Sequence, residues 1–188
     1  MITSVGVFCS SSDAVAEEHF EVARQFGEGL ATRGQALVYG GGGIGLMGAI
    51  ARSTKAKGGK VIGVIPEALN IQEVAYQEAD ELISTDSMRE RKANMESLAD
   101  AFIALPGGFG TLEEFAEILT SKQLGFHRKA LILFNSADYY TPLLNFFDTL
   151  FEQNFAKETY RSLYHVSETL DDTFEYLDGY LSLIHISE

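Results

Sequence analysis

The chain has 188 residues, a formal net charge of −13 and a single cysteine, Cys9. This length fits one domain that buries its own core, and a lone cysteine leaves no disulfide framework within the chain, so we expect a reducing, cytoplasmic setting. The acidic balance excludes a nucleic-acid-binding surface, which must be basic. No apolar run is long enough for a membrane span, and the first residues lack the pattern of a signal peptide.

Short apolar runs alternate with helical patterns along the chain. Helices are predicted over Ala16–Thr32 and Leu112–Gln123, where apolar residues recur at helical spacing. Most of the apolar runs are continuous rather than alternating, which is typical of strands that are covered on both faces. The strand candidates are Ser4–Phe8, Ala36–Tyr39, Lys60–Ile65, Glu81–Ser84, Phe102–Leu105, Ala130–Phe134 and Leu163–Val166.

This order of elements predicts the fold class. Strand–helix alternation implies right-handed crossovers and a single doubly wound parallel sheet, an α/β fold in which ligands bind beyond the carboxyl ends of the strands. We expect one nucleotide-binding domain over residues 1–180. The remaining residues, LSLIHISE, resemble translated sequencing-adapter sequence, so residues 181–188 are expected to be a non-native or disordered tail.

The first glycine-rich turn, Tyr39–Gly48, follows the second predicted strand. Glycines let a ligand approach the backbone closely, and the next helix directs free amides and its positive end toward the loop, as phosphate binding requires. Gly43, Gly45 and Gly48 match the G-x-G-x-x-G pattern of dinucleotide-binding proteins. Glu67, after the next strand, lies about where such proteins have the acidic residue that binds ribose. An NAD(P)-dependent oxidoreductase is one alternative that this match leaves open, but in dinucleotide-binding folds the pattern normally follows the first strand, and here it follows the second. A turn whose glycines only permit close packing is the other alternative.

The second glycine-rich turn, Leu105–Glu114, follows the fifth predicted strand. Proline and glycines turn the chain, and a helix begins. Thr111 and Glu114 have the spacing of a capping box, in which Thr111 is the N-cap and Glu114 reaches back to its amide. Even so, the carboxylate would lie at the mouth of the crevice. Two such turns in one chain can face a single phosphorylated ligand from adjacent strand ends.

An anionic substrate needs a local pocket of positive potential in so acidic a chain. The clustered cations are Arg89, Arg91 and Lys92. From composition alone, Arg91 and Lys92 would form a solvated helix face paired with Glu96. We expect no metal site, because ligand spacing is absent among the histidines, which are His19, His127, His165 and His185.

Two segments carry motifs of a known family. Pro106–Glu114 reads PGGFGTLEE and matches P-G-G-x-G-T-x-x-E, and Met88–Lys92 reads MRERK and matches M-x-x-R-K. The chain thereby resembles the LOG (Lonely Guy) proteins, cytokinin riboside 5′-monophosphate phosphoribohydrolases, from about residue 2 to residue 178. Shorter matches are Val5–Cys9, Tyr39–Gly48, Gly63–Pro66 and Gln123–Gly125, and departures from the family pattern are Ser10, Ser121, Lys122 and Ala130.

The resemblance implies a lysine-decarboxylase-like, Rossmann-like fold, a homodimer or larger homo-oligomer, and an active site close to the subunit interface. It implies that Arg91 and Glu114 are catalytic and that no cofactor is needed. The residues expected to contact the nucleoside monophosphate are Gly42, Gly43, Glu73, Met88, Lys92, Gly107, Gly108, Phe109, Gly110, Thr111, Leu112, Glu113 and Thr120.

The reaction that the resemblance implies is hydrolysis of an N-glycosidic bond, which passes through an oxocarbenium-like state. Glu114 would stabilise the cationic sugar, orient water or act as a base. Arg91, which stays protonated, would hold phosphate or ribose, keep Glu114 ionised or polarise the base. A non-catalytic nucleotide or molybdenum-cofactor carrier and an NAD(P)-dependent oxidoreductase are the alternatives, and the base, cytokinin or plain adenine, stays open.

Overall fold

The computed structural model describes residues 1–71 and 74–186, with the backbone alone described beyond residue 180. Within these residues, parallel strands form one sheet. In chain order the strands are β1 (Ser4–Phe8), β2 (Ala36–Tyr39), β3 (Val61–Pro66), β4 (Glu81–Thr85), β5 (Ala101–Ala104), β6 (Ala130–Phe134) and β7 (His165–Ser167).

The strands lie in the order β4-β3-β2-β1-β5-β6-β7, and every neighbouring pair is parallel. Helices connect them on both faces, so the predicted α/β doubly wound sheet is confirmed. The helices are α1 (Glu17–Thr32), α2 (Gly45–Ala56), α3 (Met88–Leu98), α4 (Phe109–Gln123), α5 (Thr141–Glu152) and α6 (Leu170–Ile186).

Each face of the sheet buries its own apolar cluster. One cluster joins the sheet to α1, α2 and α6 through residues such as Phe26, Ile50 and Phe174. The opposite cluster joins it to α3, α4 and α5 through residues such as Met95 and Phe115. Burial on both faces explains why the strands read as continuous apolar runs.

The sheet has a topological switch point at β1. The chain runs outward from β1 to β4 on one side and then returns to β5 on the other side of β1. A crevice therefore opens beyond the carboxyl ends of β1 and β5, where ligands bind in folds of this class. The backbone ties the loops at this crevice together, because the Ser10 amide donates to the Pro106 carbonyl at 3.2 Å and the Met47 amide donates to the Ser10 carbonyl at 3.3 Å.

All predicted strand boundaries agree with the structure within two residues, and the largest difference is at the last strand. The last strand was predicted over Leu163–Val166 but spans His165–Ser167, because Glu158–Leu163 forms a 3-10 helix. The backbone of α6 continues to Ile186. The non-native tail expected at 181–188 stays a prediction, since its side chains, and residues 187–188 altogether, lie outside the described part of the chain.

Candidate active site

A cavity of about 500 Å³ opens at the carboxyl ends of the central strands. Its walls come from the loop after β1, the two glycine-rich turns, the end of β3 and the first turns of α3 and α4. Eight of the residues predicted from the sequence line it: Gly42, Met88, Arg91, Gly108, Phe109, Gly110, Thr111 and Glu114. The fold thus brings the two motifs of the sequence to one cavity.

The cavity contains a buried ion pair between Arg91 and Glu114. Arg91 Nη1 lies 2.6 Å from Glu114 Oε1, and the two residues are only 7% and 9% exposed. Arg91 Nε donates to the Val64 carbonyl at 3.0 Å. Gly40 provides the space for this guanidinium, since a methyl group on Gly40 would collide with Nη2. The arginine is therefore held from two sides while it faces the carboxylate.

The helix starts explain how these two side chains are positioned. Ser87 is the N-cap of α3, and its hydroxyl accepts from the Glu90 amide at 3.2 Å, so Arg91 lies in the first turns of that helix. The predicted capping box at Thr111 is wrong. Gly108 is the N-cap of α4, and the Glu114 carboxylate pairs with Arg91. The solvated face expected for Arg91 is also wrong, because its side chain is buried.

Burial sets the protonation behaviour of Glu114. Removal from water raises the pKa of Glu114 above its usual value, and the neighbouring Arg91 guanidinium opposes this rise through its charge and hydrogen bond. A carboxyl whose pKa is moved toward neutrality is suited to proton transfer or to stabilising positive charge near neutral pH.

The second glycine-rich turn ends at the start of α4, where the first backbone amides have no partner within the helix. The first hydrogen bond of α4 runs from the Leu112 amide to the Gly108 carbonyl at 3.1 Å, so the amides of the residues before Leu112 precede the helical ladder. Apart from its chain neighbours and the adjoining helix backbone, a methyl group built on Gly108 or Gly110 would meet no protein atom within 4 Å. Packing against the protein therefore does not explain glycine at these two positions, whereas close approach of a ligand does.

The first glycine-rich turn is occupied by the protein itself. The Asp13 carboxylate accepts from the Gly45 amide at 2.8 Å, at the start of α2. Gly45 has a φ of +60°, and a side chain there would collide with the backbone of Ser11 and Ser12. The Gly43 amide donates to the Val74 carbonyl at 2.7 Å. Gly43 is not among the described residues that line the cavity, although Gly42 and Ile44 of the same turn are. The start of α2 therefore already holds a carboxylate, that of Asp13.

The loop after β1 is a part of the site that sequence reasoning did not assign. Ser10, Ser11 and Ser12 line the cavity. The Ser10 hydroxyl accepts from the Ser12 amide at 3.0 Å, and the Ser12 hydroxyl accepts from the Ala14 amide at 3.1 Å. Polar residues directly after the first strand of a doubly wound sheet, close to its switch point, are the signal that could have identified this loop.

Comparison with known proteins places the chain in a family. Residues 47–177 match the family described as possible lysine decarboxylase. Cytokinin riboside 5′-monophosphate phosphoribohydrolase LOG5 of Arabidopsis thaliana is 40% identical over 176 residues, which cover 94% of this chain and 77% of the relative. The corresponding LOG enzyme of Oryza sativa subsp. japonica is 41% identical over 175 residues, covering 93% and 72%. The chain belongs to the LOG family.

Solved structures of other proteins share the fold of this LOG-family chain. The molybdenum cofactor carrier protein of Chlamydomonas reinhardtii has a TM-score of 0.73 and 24% identity, over 95% of this chain and 98% of that one. A molybdenum cofactor binding protein of Rippkaea orientalis has a TM-score of 0.71 and 22% identity, over 95% and 96%. At this identity the likeness concerns the fold alone.

Several residues predicted from the LOG resemblance lie away from the cavity. Lys92, Glu113 and Thr120 line an open groove of about 570 Å³ between α3 and α4. Lys92 pairs there with Glu113 and Glu117, not with Glu96 as composition predicted. Gly107 borders a separate pocket, and Leu112 packs against the core. Glu73 lies outside the described residues.

Cys9 lines the cavity of this LOG-family chain but is unsuited to nucleophilic chemistry. Burial raises the pKa of its thiol far above the usual range, and the nearby Glu114 charge acts in the same direction. Within the described residues, no group of three or more His, Cys, Asp and Glu side chains is arranged to hold a metal ion. No helix of that part of the chain has the length and apolar character needed to cross a membrane.

Proposed function

We propose that this chain hydrolyses the N-glycosidic bond of a nucleoside 5′-monophosphate and releases the free base and ribose 5-phosphate. The observation that carries the proposal is the buried Arg91–Glu114 pair in a cavity that also contains an open helix start. Relatives at 40–41% identity bear the name of this reaction, and they match the chain over more than nine-tenths of its length.

Glu114 is the residue that acts at the anomeric carbon. Cleavage of the bond to the base leaves positive charge on the ribose ring, which a nearby carboxylate stabilises. The same carboxylate can orient a water molecule or accept its proton when it is ionised. Arg91 opposes the effect of burial on Glu114, and so increases the fraction of the carboxyl that is ionised at a given pH.

The 5′-phosphate binds at the start of α4. Amides of Gly108, Phe109, Gly110 and Thr111 precede the helical ladder, and the positive end of the helix dipole adds to their attraction for an anion. Space beside Gly108 and Gly110 allows phosphate oxygens to reach the backbone. In a chain with a net charge of −13, this local positive potential is needed to hold an anionic substrate.

The base occupies the apolar part of the cavity. Ile44, Leu69, Val74 and Met88 line that part, and three of them are exposed large apolar residues, at 40% (Ile44), 47% (Leu69) and 49% (Met88). Apolar walls around a few polar groups are typical of small-molecule sites and suit the flat face of a purine. A cytokinin base and plain adenine both fit this chemistry.

The functional unit is a homodimer or larger homo-oligomer, with its interface beside the groove between α3 and α4. Phe109 is 92% exposed at the rim of the cavity, and Leu124 and Phe126 are 62% and 75% exposed near the end of α4. Such apolar exposure is typical of surfaces that other protein covers. Lys92, Glu113 and Thr120 would then meet a substrate held near a neighbouring subunit. Light scattering of the purified protein tests this state.

The reducing cytoplasm is the compartment that suits this chain, because its lone thiol is buried at the base of the cavity.

An NAD(P)-dependent reaction is not favoured, since the Asp13 carboxylate takes the position at the start of α2 that a pyrophosphate would need. Titration with NADH tests that alternative.

Incubation with AMP and with isopentenyladenosine 5′-monophosphate, followed by chromatography, tests the proposed reaction. We expect free base and ribose 5-phosphate from at least one substrate. Adenosine and isopentenyladenosine are matched controls that lack only the phosphate, and they should react far more slowly. If neither nucleotide releases its base, the chain does not have this activity.

A further inference from the structure

The connection between β6 and α5 has a constrained backbone. Ala137 and Asp138 are consecutive non-glycine residues with φ values of +50° and +57°. Each such residue costs about 1–3 kcal/mol and persists only where its surroundings hold it in place. The Asn135 carboxamide oxygen accepts from the Tyr140 amide at 2.6 Å, which closes the turn. Tyr139 and Tyr140 directly follow this turn.

Both tyrosines bind the backbone around the second glycine-rich turn. Tyr140 donates from its hydroxyl to the Leu105 carbonyl at 2.7 Å, and Tyr139 donates to the Gly107 carbonyl at 2.8 Å. Their rings meet edge to face at 4.9 Å, and the Tyr139 ring also meets His19 at 5.7 Å. Tyr140 is buried at 2% exposure, whereas Tyr139 is 43% exposed. Loss of the Tyr139 hydroxyl should therefore affect the glycine-rich turn more than the packing of the core.

The Gly107 carbonyl belongs to the same peptide unit as the Gly108 amide. A trans peptide is planar, and its carbonyl and amide point in opposite directions. Glycine on both sides of this unit permits more than one orientation of the plane. A hydrogen bond that holds the carbonyl toward Tyr139 therefore holds the Gly108 amide away from Tyr139.

Two separate spaces flank this peptide. A pocket of about 340 Å³ lies on the side of Tyr139 and is also lined by His19, Pro106 and Gly107. The active-site cavity lies beyond Gly108 on the side of Arg91 and Glu114. Gly108 borders both spaces, so the orientation of its amide decides which of the two receives the donor.

We propose that Tyr139 is a positioning residue, whose hydroxyl orients the Gly107–Gly108 peptide so that the Gly108 amide donates to the 5′-phosphate. This inference rests on the proposed phosphate site at the start of α4. Tyr139 does not touch the reacting atoms, and its effect is confined to ligands that carry the phosphate.

The test is Tyr139→Phe, which removes one hydroxyl and keeps both ring contacts. For the hydrolysed nucleotide, KM should rise about 5-fold, the factor that corresponds to one neutral hydrogen bond, while kcat changes less than 2-fold. The dissociation constant of ribose 5-phosphate, measured by calorimetry, should rise by the same factor. The corresponding riboside should react as it does with the parent chain, and the melting temperature should stay within a few degrees.

Tyr160→Phe, in the 3-10 helix before β7, is the matched control and should leave all these values unchanged. An unchanged KM and dissociation constant in Tyr139→Phe would overturn the proposal, as would an equal loss with the riboside. Calorimetry separates the two proposals. If the parent chain binds ribose 5-phosphate but hydrolyses no nucleotide, the proposed reaction is rejected, and the dissociation constant of ribose 5-phosphate still tests the role of Tyr139. If it binds no phosphorylated ligand, the role of Tyr139 is rejected too.

Discussion

Arg91 and Glu114 form a buried ion pair at 2.6 Å although they lie 23 positions apart in the chain. α3 carries the arginine and α4 carries the glutamate, on the same face of the sheet. Leaving one charge buried without its partner costs several kcal/mol, so each residue depends on the other for its place in the cavity. The pair therefore links the stability of the site to its chemistry.

Glu114→Gln should reduce turnover by at least 100-fold, because the amide keeps the shape of the side chain but cannot be ionised. Binding of ribose 5-phosphate should change little, since the proposed phosphate contacts come from the backbone at Gly108 and Gly110. Steady-state kinetics and calorimetry measure the two effects. The exposed Glu175→Gln on α6 is the control. Turnover within a few-fold of the parent would remove Glu114 from the mechanism.

The pH dependence of the reaction should report the raised pKa of Glu114. If the ionised carboxylate is required, the rate falls as pH drops through that pKa, so the acid limb lies above the ordinary glutamate value of about 4.3. Arg91→Gln removes the charge that opposes the rise, so the limb of its residual activity should move to still higher pH. A limb at the ordinary value, or one that moves to lower pH, contradicts this assignment.

Substitution of the glycines should distinguish the two turns. In Gly110→Ala the added methyl meets no atom beyond its chain neighbours and its own helix backbone, so the fold should keep its melting temperature. The methyl should block the phosphate and raise KM by about 10-fold or more. Gly45→Ala should instead unfold at a clearly lower temperature, because its φ is +60° and the loop at Ser11 lies against it. Thermal melts and kinetics of both variants give the comparison, and equal behaviour in both assays would refute the division.

Lys122 should make stability depend on pH. Burial lowers its pKa to about 8 in the folded chain, against about 10.4 when unfolded. Between these two pKa values the unfolded chain binds more protons than the folded chain, so the free energy of unfolding rises with pH across that window. Below pH 8 Lys122 is charged in both states, and this pH dependence is absent. Lys122→Met should be more stable at pH 7 by on the order of 1 kcal/mol. Urea unfolding should show the rise of stability with pH in the exposed Lys157→Met variant but not in Lys122→Met. Identical pH profiles of the two variants would contradict the expectation.

The sequence alone determined the strand segments, two of the helices, the doubly wound parallel arrangement and the position of both turns. These features arise from local signals: continuous apolar runs for strands buried on both faces, helical spacing in α1, and glycine or proline where strands end. The resemblance in Pro106–Glu114 and Met88–Lys92 also singled out Arg91 and Glu114.

Only the tertiary structure decided where these residues lie and what each of them contacts. Locally, Thr111 and Glu114 favour a capping box, but α4 begins at Phe109 and buries Glu114 against Arg91, because a paired charge is more stable than an isolated one in the cavity. The two glycine-rich turns look alike in sequence. They differ because Asp13, from a distant loop, fills the first helix start, whereas the second faces open space, and such contacts between distant segments exist only once the chain has folded.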